Sequence, residues 1–384
     1  MNINPIDFFN VLLKNKIHFF SGVPDSLLKE FCLTIDDNVL AQDHIIAANE
    51  GNAIAIGAGY YLASGLIPLV YMQNSGLGNA INPLLSLCDK KVYSIPMIIM
   101  IGWRGEPGII DEPQHIKQGE VQTQLLETLG IPFEIISKNN YNDFQKIIYE
   151  SVNKAKAGNR PVALLIKKGT FIKYQKKNKT EKTNLMNREE ALELILRNLN
   201  DEYIIVSTTG KTSREIFEIR SKNNQSHSQD FLTVGSMGHC SSIAFGIALS
   251  RPDQKVLCID GDGSMLMHLG ALTTISNHKP KNFKYILMNN EAHESVGGQD
   301  TTAKNIQLSP IIKAISSIEP YIINNDTDLN KYLNDFLICQ GPSFMEIKIK
   351  LGSRSDLGRP TIKPIENKKH FMNFIKNKQF FEKL

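Results

Sequence analysis

Two doubly wound parallel α/β domains in tandem are the fold class this chain predicts, and three features predict it. Short apolar runs alternate with helix-period segments through both halves of the 384 residues. A polar, Lys-rich stretch separates the two series. Clusters of glycine, carboxylate and amide residues follow several runs directly, where parallel strands present ligand-binding loops at their carboxyl ends.

In chain order, strands are expected at Ile17–Phe20, His44–Ala47, Ile67–Met72, Ile95–Ile101, Ile131–Ile136 and Val162–Ile166, which sets a first domain at 1–172. A helix of small residues follows the fourth-decade strand, from Asn52 to Gly59, and closes near Gly65. Residues 173–186 carry KYQKKNKTEKTN without apolar periodicity and read as a linker. Asn187 then has Glu190 three residues on, the pattern of an N-cap with its capping box. The second domain, 187–384, is expected to hold strands Tyr203–Ser207, Lys255–Ile259, Phe283–Met288 and Ser343–Ile349. Helices are expected at Ser241–Leu249 and from Met265 to about Asn277. A C-terminal helical tail, Phe371–Leu384, is amphipathic and aromatic-rich; packing on its own or a neighbouring subunit is expected rather than on a membrane surface.

Composition excludes several classes. Forty-three basic residues against 39 acidic give a net charge of +4, too mild and too scattered for a nucleic-acid partner. No apolar run reaches the roughly 18 residues of a membrane helix. The start, MNINPIDFFNVLLKNK, lacks the layout of a secretory signal. Cys32, Cys88, Cys240, Cys258 and Cys339 are odd in number and show no Cys-x-x-Cys spacing, as expected of reduced thiols in the cytoplasm.

The most informative stretch is DGDGSMLMHLGALTTISNHKPKNFKYILMNNEA, from Asp260 to Ala292. A strand delivers Gly261-Asp262-Gly263-Ser264, a helix follows, and the next strand delivers Asn289-Asn290. Asp262 offers a carboxylate, Asn290 an amide oxygen and Ala292 a backbone carbonyl. Such hard oxygen donors suit Mg2+, completed by water and phosphate oxygens. Gly261 and Gly263 allow close backbone approach to a diphosphate. A lone Gly-Asp-Gly turn would be read as an ordinary tight turn. The amide pair that follows, from position 262 to position 290 a separation of 28, changes that reading.

With this spacing the chain resembles the thiamine diphosphate-dependent enzymes. Within them it is similar to the compact phosphonopyruvate decarboxylases, with the sulfopyruvate decarboxylases as nearest rival. The stretches that carry the resemblance are SGVPDSLLKEF (21–31), ANEGNAIAIGAGYYLASG (48–65), VYMQNSGLGNAINPL (70–84), IGWRGEPGIIDEPQHIKQG (101–119), NNEAHESVGGQDT (289–301) and GSRSDLGRPTIKPIENKKHFM (352–372). The resemblance implies the thiamine diphosphate-binding fold, with 1–172 as pyrimidine-binding domain and 187–384 as diphosphate-binding domain. It implies thiamine diphosphate and Mg2+ as cofactors and decarboxylation of 3-phosphonopyruvate to phosphonoacetaldehyde and CO2, in phosphonate biosynthesis. It also implies a homo-oligomer whose active site lies at the subunit interface.

Residue roles follow the same resemblance. Glu50, at a strand-to-helix junction, takes the place of the glutamate that hydrogen-bonds the aminopyrimidine; as a lone residue it would be read as a first-turn acid complementing the helix dipole. Met237, between Ser236 and Gly238, stands where a large apolar side chain bends the cofactor, although methionine is also a common core filler. Thr209, Gly210, Ser236 and Ser264 are candidate diphosphate contacts; a plain capping loop fits the same hydroxyls. Asp25 and His115 are candidate proton donors, His115 within a long Gly/Pro-rich segment expected to be an active-site loop, with His239 and His293 as competitors. A dianionic phosphonate calls for cationic recognition, for which Arg104, Arg354 and Arg359 are the candidates; at least one of the three is expected to be structural. The non-enzyme alternative is a silent binding module of the same fold, which would have no use for the glutamate.

Overall fold

The computed structural model describes residues 1–176, 184–200 and 202–381, with the backbone alone for 378–381. Half of the expected linker at 173–186, residues 177–183, therefore lies outside the described residues. The chain divides into two compact units, Met1–Glu181 with His293–Asp300 and Lys182–Ala292 with Thr301–Leu384.

The first unit holds a parallel sheet of β1 (Phe20–Gly22), β2 (His44–Ile46), β3 (Leu69–Gln73), β4 (Ile98–Gly102), β5 (Phe133–Ile136) and β6 (Val162–Ile166), in the order β2-β1-β3-β4-β6-β5. The alternation along β4 shows why the runs are apolar throughout. Ile98 and Met100 enter one core with Phe8, Phe20, Phe31 and Leu164, while Ile99 and Ile101 enter the other with Val70, Met72 and Leu165. Both faces are covered, as parallel sheets require. The expected strands are found, shifted by up to three residues at their starts.

The second unit repeats the plan with β7 (Tyr203–Ser207), β8 (Asp230–Leu232), β9 (Lys255–Gly261) and β10 (Phe283–Asn289). Along the chain come next a two-stranded ladder of β11 (Ala292–His293) and β12 (Gln299–Asp300), whose residues 293–300 group with the first unit, and then, in the second unit again, β13 (Tyr321–Ile323) and β14 (Ser343–Lys348). The large sheet runs β13-β14-β10-β9-β7-β8. Ile205, Ile259, Ile286 and Ile347 fill one core, and Val206, Cys258, Tyr285 and Phe344 the other. The three-residue strands β8 and β13 were not among the expected ones.

Helix starts obey local chemistry. The Asn187 side chain accepts from Glu190 N (2.8 Å), and Glu190 accepts from Asn187 N (2.8 Å), so the capping box is complete. Glu50–Ser64 is a helix capped by the Asn49 side chain and closed by Gly65 in the left-handed region. One expectation is corrected. In place of a single helix from Met265 to about Asn277, Asp262–Met267 and Ala271–His278 are separate, with the break at His268–Gly270. The turn residue Gly270 has the lowest helix propensity in that stretch apart from proline.

Candidate active site

In each sheet the strand order reverses between the first and third strands, and the candidate residues gather at those carboxyl ends. Beside β1 and β3, Asp25 is fully buried. Its Oδ1 accepts from Gln73 Nε2 (2.6 Å) and its Oδ2 from Leu27 N (3.0 Å). Burial pushes the Asp25 pKa up, against the pull of Gln73 and Arg104. Gly102 ends β4 against this carboxyl group; a Cβ there would stand 2.0 Å from Asp25 Oδ2.

Glu50 is the first residue of its helix and is 5% exposed. Its Oε2 accepts from Asn79 Nδ2 (2.8 Å). Gly76 lies so close that a Cβ would fall 2.3 Å from Glu50 Oε1. Only a glycine leaves room for the carboxylate there.

Arg104 follows β4. Its Nε donates to Asp111 Oδ2 (2.8 Å), its Nη2 to Asp111 Oδ1, and its Nη1 to Ser26 Oγ (2.8 Å). Burial acts to raise the Asp111 pKa, but the Arg104 hydrogen bonds and the amides of Glu112 and Gly105 outweigh it and hold the group well below the usual carboxylate range. His115 is buried, yet it sits in the first turn of the helix Pro113–Thr128 and not in a loop. The expected loop thus shortens to 103–112, because Pro113 starts the helix and His115, Gly119, Gln122 and Leu126 form its buried stripe.

In the second unit, parallel register sets Gly261 beside Met288. The two strands therefore release Asp262 and Asn289-Asn290 as neighbours. Asn289 is an anchor: its Nδ2 donates to Glu346 Oε1 (2.7 Å) on β14. Asn290 Oδ1 accepts from Ala292 N (3.1 Å). Asp262 is 2% exposed, and burial pushes its pKa up to about 6 against the pull of the Thr301 hydroxyl and of backbone amides.

Ser264 ties the cluster together. Its Oγ accepts from Thr208 Oγ1 (3.0 Å), after β7, and from Gly238 N (3.0 Å), in the loop that carries Ser236 and Met237. Its own hydroxyl proton stays available to a further acceptor. Gly210 caps the helix Lys211–Lys222 with φ 96°, and Thr209 stands half-buried before it. Ser236 has φ 54°, a strained value for a side-chain-bearing residue of the kind that clusters at functional sites. Met237 is half-buried and His239 exposed. Burial pushes the His293 pKa down to about 4, so its imidazole is neutral.

Not every candidate is at a strand end with spare charge. Arg354 donates to Glu189 (2.9 Å) and Glu218 and lies 3.1 Å from Asp356. Its charge is matched by three carboxylates, which fits the structural role expected of at least one of the three arginines. The groove it borders is lined also by Asn187, Glu190, Glu193 and Lys222. Arg359 is exposed.

The chain matches two family models, "Thiamine pyrophosphate enzyme, N-terminal TPP binding domain" over residues 7–126 and "Thiamine pyrophosphate enzyme, C-terminal TPP binding domain" over 208–347. It is 31% identical to a phosphonopyruvate decarboxylase of Streptomyces viridochromogenes over 92% of this chain and 90% of that one. A sulfopyruvate decarboxylase of Methanosarcina acetivorans is 28% identical over 98% and 99% of the two chains. The sulfopyruvate decarboxylase subunit beta of Methanococcus maripaludis is 33% identical over 50% of this chain and 98% of its own.

The chain belongs to the thiamine pyrophosphate enzyme family, among its decarboxylases.

Thiamine diphosphate is accordingly the cofactor of this decarboxylase, and Mg2+ is the usual partner metal of the family. The residues present fit both. A buried carboxylate whose charge is disfavoured by desolvation is what a metal ion would compensate, and the proposed donors beside it are oxygens. Among the described residues no group of three His, Cys, Asp or Glu side chains is placed to hold a metal, as expected of a set with one carboxylate, one amide and one carbonyl. Three partners escaped the sequence reading: Gln73 on Asp25, Asn79 on Glu50, and Thr301, whose hydroxyl donates to Asp262 Oδ2. Asn79 and Thr301 both lie in stretches already singled out, but no spacing rule says which polar residue of a loop meets which carboxylate.

Proposed function

We propose that the chain decarboxylates 3-phosphonopyruvate to phosphonoacetaldehyde and CO2 in phosphonate biosynthesis. Residues 1–172 act as pyrimidine-binding domain and 187–384 as diphosphate-binding domain. The observation that carries the reading is the 31% identity to a phosphonopyruvate decarboxylase along 90% of that relative's length.

Asp262, Asn290 and the Ala292 carbonyl would hold Mg2+. Thr209, Gly210, Ser236, Gly261, Gly263 and Ser264 would surround the diphosphate, and Met237 would support the bend of the cofactor. Bound thiamine diphosphate supplies the electron sink that lets CO2 leave. Glu50, steadied by Asn79, would hydrogen-bond the aminopyrimidine and supply the carboxyl group for proton exchange there. Asp25 holds a proton for the carbon that loses its carboxylate; the rise of its pKa on burial favours the protonated form. His115, on the buried face of its helix, is the second candidate donor. Arg104 and Arg359 anchor the phosphonate. Arg104 has five N–H donors, of which Asp111 and Ser26 engage three.

A homo-oligomer with the active site shared between subunits is supported by the likeness to a sulfopyruvate decarboxylase of two kinds of subunit, whose beta and alpha chains match 50% and 41% of this chain. Cytoplasmic residence is supported by five free cysteines and by the lack, among the described residues, of a helix long and apolar enough to cross a membrane.

The near full-length likeness to a sulfopyruvate decarboxylase favours one second reading, the sulfonate analogue as substrate. Turnover of purified enzyme on 3-phosphonopyruvate, sulfopyruvate and pyruvate decides between them. A kcat/KM at least about 100-fold higher for the phosphonate than for pyruvate is expected, since a site built for a polar group rejects an analogue that lacks it; against the sulfonate, which differs in charge but keeps three oxygens, the phosphonate is expected to lead by less. Preference for the sulfonate would replace the substrate and keep the residue roles.

A further inference from the structure

The excursion that leaves β10 at Asn290 returns to the same place. Thr301 N donates to Glu291 O (2.8 Å), and the Thr301 hydroxyl donates to Asp262 Oδ2. Both side chains are buried, Thr301 at 4% and Asp262 at 2% exposure. The backbone amides of Gly263 and Asn290 donate to the same carboxylate. Oδ2 is therefore engaged from the far end of the excursion, which restrains rotation of the carboxylate and favours presenting Oδ1 alone to an ion.

Cations differ in what they ask of such a carboxylate. Mg2+ demands near-octahedral geometry and takes carboxylates through one oxygen, whereas Ca2+ is larger, tolerates more ligands and readily accepts both oxygens. We propose that Thr301 makes Asp262 a one-oxygen ligand and thereby sets the site's preference for a Mg2+-sized cation over a larger one. This deepens the reading of Asp262, Asn290 and Ala292 as the metal donors and rests on it. Thr301 is a positioning residue: it acts through Asp262 and has no contact of its own with substrate to make.

The test is calorimetric titration of Mg2+ and of Ca2+ into the purified full chain saturated with thiamine diphosphate, with folding checked by circular dichroism. Thr301→Val removes the hydroxyl and keeps the shape. It is expected to weaken Mg2+ binding by about 10-fold or more, the usual cost of losing a residue that orients a metal ligand, while Ca2+ binding holds or improves. The Mg2+/Ca2+ affinity ratio then drops about 10-fold or more. Thr301→Ser, which keeps the hydroxyl, should retain the wild-type ratio, and Thr301→Ala serves as a second hydroxyl-free variant should the valine protein not fold. An unchanged ratio in the hydroxyl-free variants, including equal weakening for both ions, overturns the proposal and leaves Thr301 as a fold-closing residue. Asp262→Ala separates the two levels. If it abolishes Mg2+ binding while Thr301→Val leaves the ratio intact, only the role of Thr301 fails; if it binds Mg2+ like the wild type, the metal-site reading fails and takes the proposal with it.

Discussion

The two units of this enzyme share one strand order, second-first-third-fourth-sixth-fifth, and differ in what their strand ends carry. In the first, the ends of β1 and β3 meet through Asp25 and Gln73. In the second, the ends of β7 and β9 meet through Thr208 and Ser264. The same switch point thus joins a buried acid to an amide side chain in one case and two hydroxyls, beside the buried Asp262, in the other. Fold supplies the location of a site; the residues at the tips supply its chemistry. On the proposed reading, one unit moves protons and the other holds a metal and an anion.

That division of labour can be broken experimentally. Glu50→Gln, in the first unit, should retain thiamine diphosphate and Mg2+ binding by calorimetry while turnover drops by roughly 10²–10⁴-fold, the usual share of acid–base catalysis. Unchanged turnover would remove Glu50 from its role.

Asp262, in the second unit, should show its burial as a pH-dependent stability. In metal-free protein its pKa lies near 6 instead of 3.8, so the folded state favours the protonated form. Its contribution is full below about pH 4 and is lost as pH rises through about 6, a change of up to roughly 3 kcal/mol. Urea unfolding of EDTA-treated protein at pH 4.5 and 7 reads this, and Asp262→Asn should flatten the difference. Saturating Mg2+ should also flatten it, because the bound cation compensates the ionised carboxylate.

A smaller effect sharpens the view of the first unit. Gly76→Ala would bring a Cβ to 2.3 Å from Glu50 Oε1 and displace the carboxylate. A loss of about 10- to 100-fold in kcat is expected with metal affinity unchanged, since a misplacement of this size near the chemistry typically costs that much. A fall in Mg2+ affinity instead would contradict the separation of roles.

The smallest expected effect lies outside both sites. Asn187→Ala removes one half of the capping box and should lower stability by about 1 kcal/mol, read as a shift of the urea midpoint, with kcat/KM unchanged.

How far the sequence could be read depended on whether the signal was local. The capping box at Asn187 was legible because its partner is three residues away. The central strands were legible because burial on both faces makes their residues apolar without interruption, as in Ile98–Ile101. The edge strands β8 and β13 were not, since three residues such as Asp230-Phe231-Leu232 give no pattern to detect. Nor was the break at His268–Gly270 read out of a segment whose apolar spacing runs on past it.

What the sequence by itself determined was the pair of parallel α/β units and the identity of the residues at the strand tips, because periodicity and turn chemistry are written into neighbouring positions. Tertiary structure alone decided the pairings across long separations. It matched Arg354 with three carboxylates, left Arg104 partly engaged by Asp111, set Asn79 against Glu50 and brought Thr301 back to Asp262. Whether a charged group is spent or available depends on which loops converge in space, and side-chain hydrogen bonds between converging loops follow no periodicity along the chain.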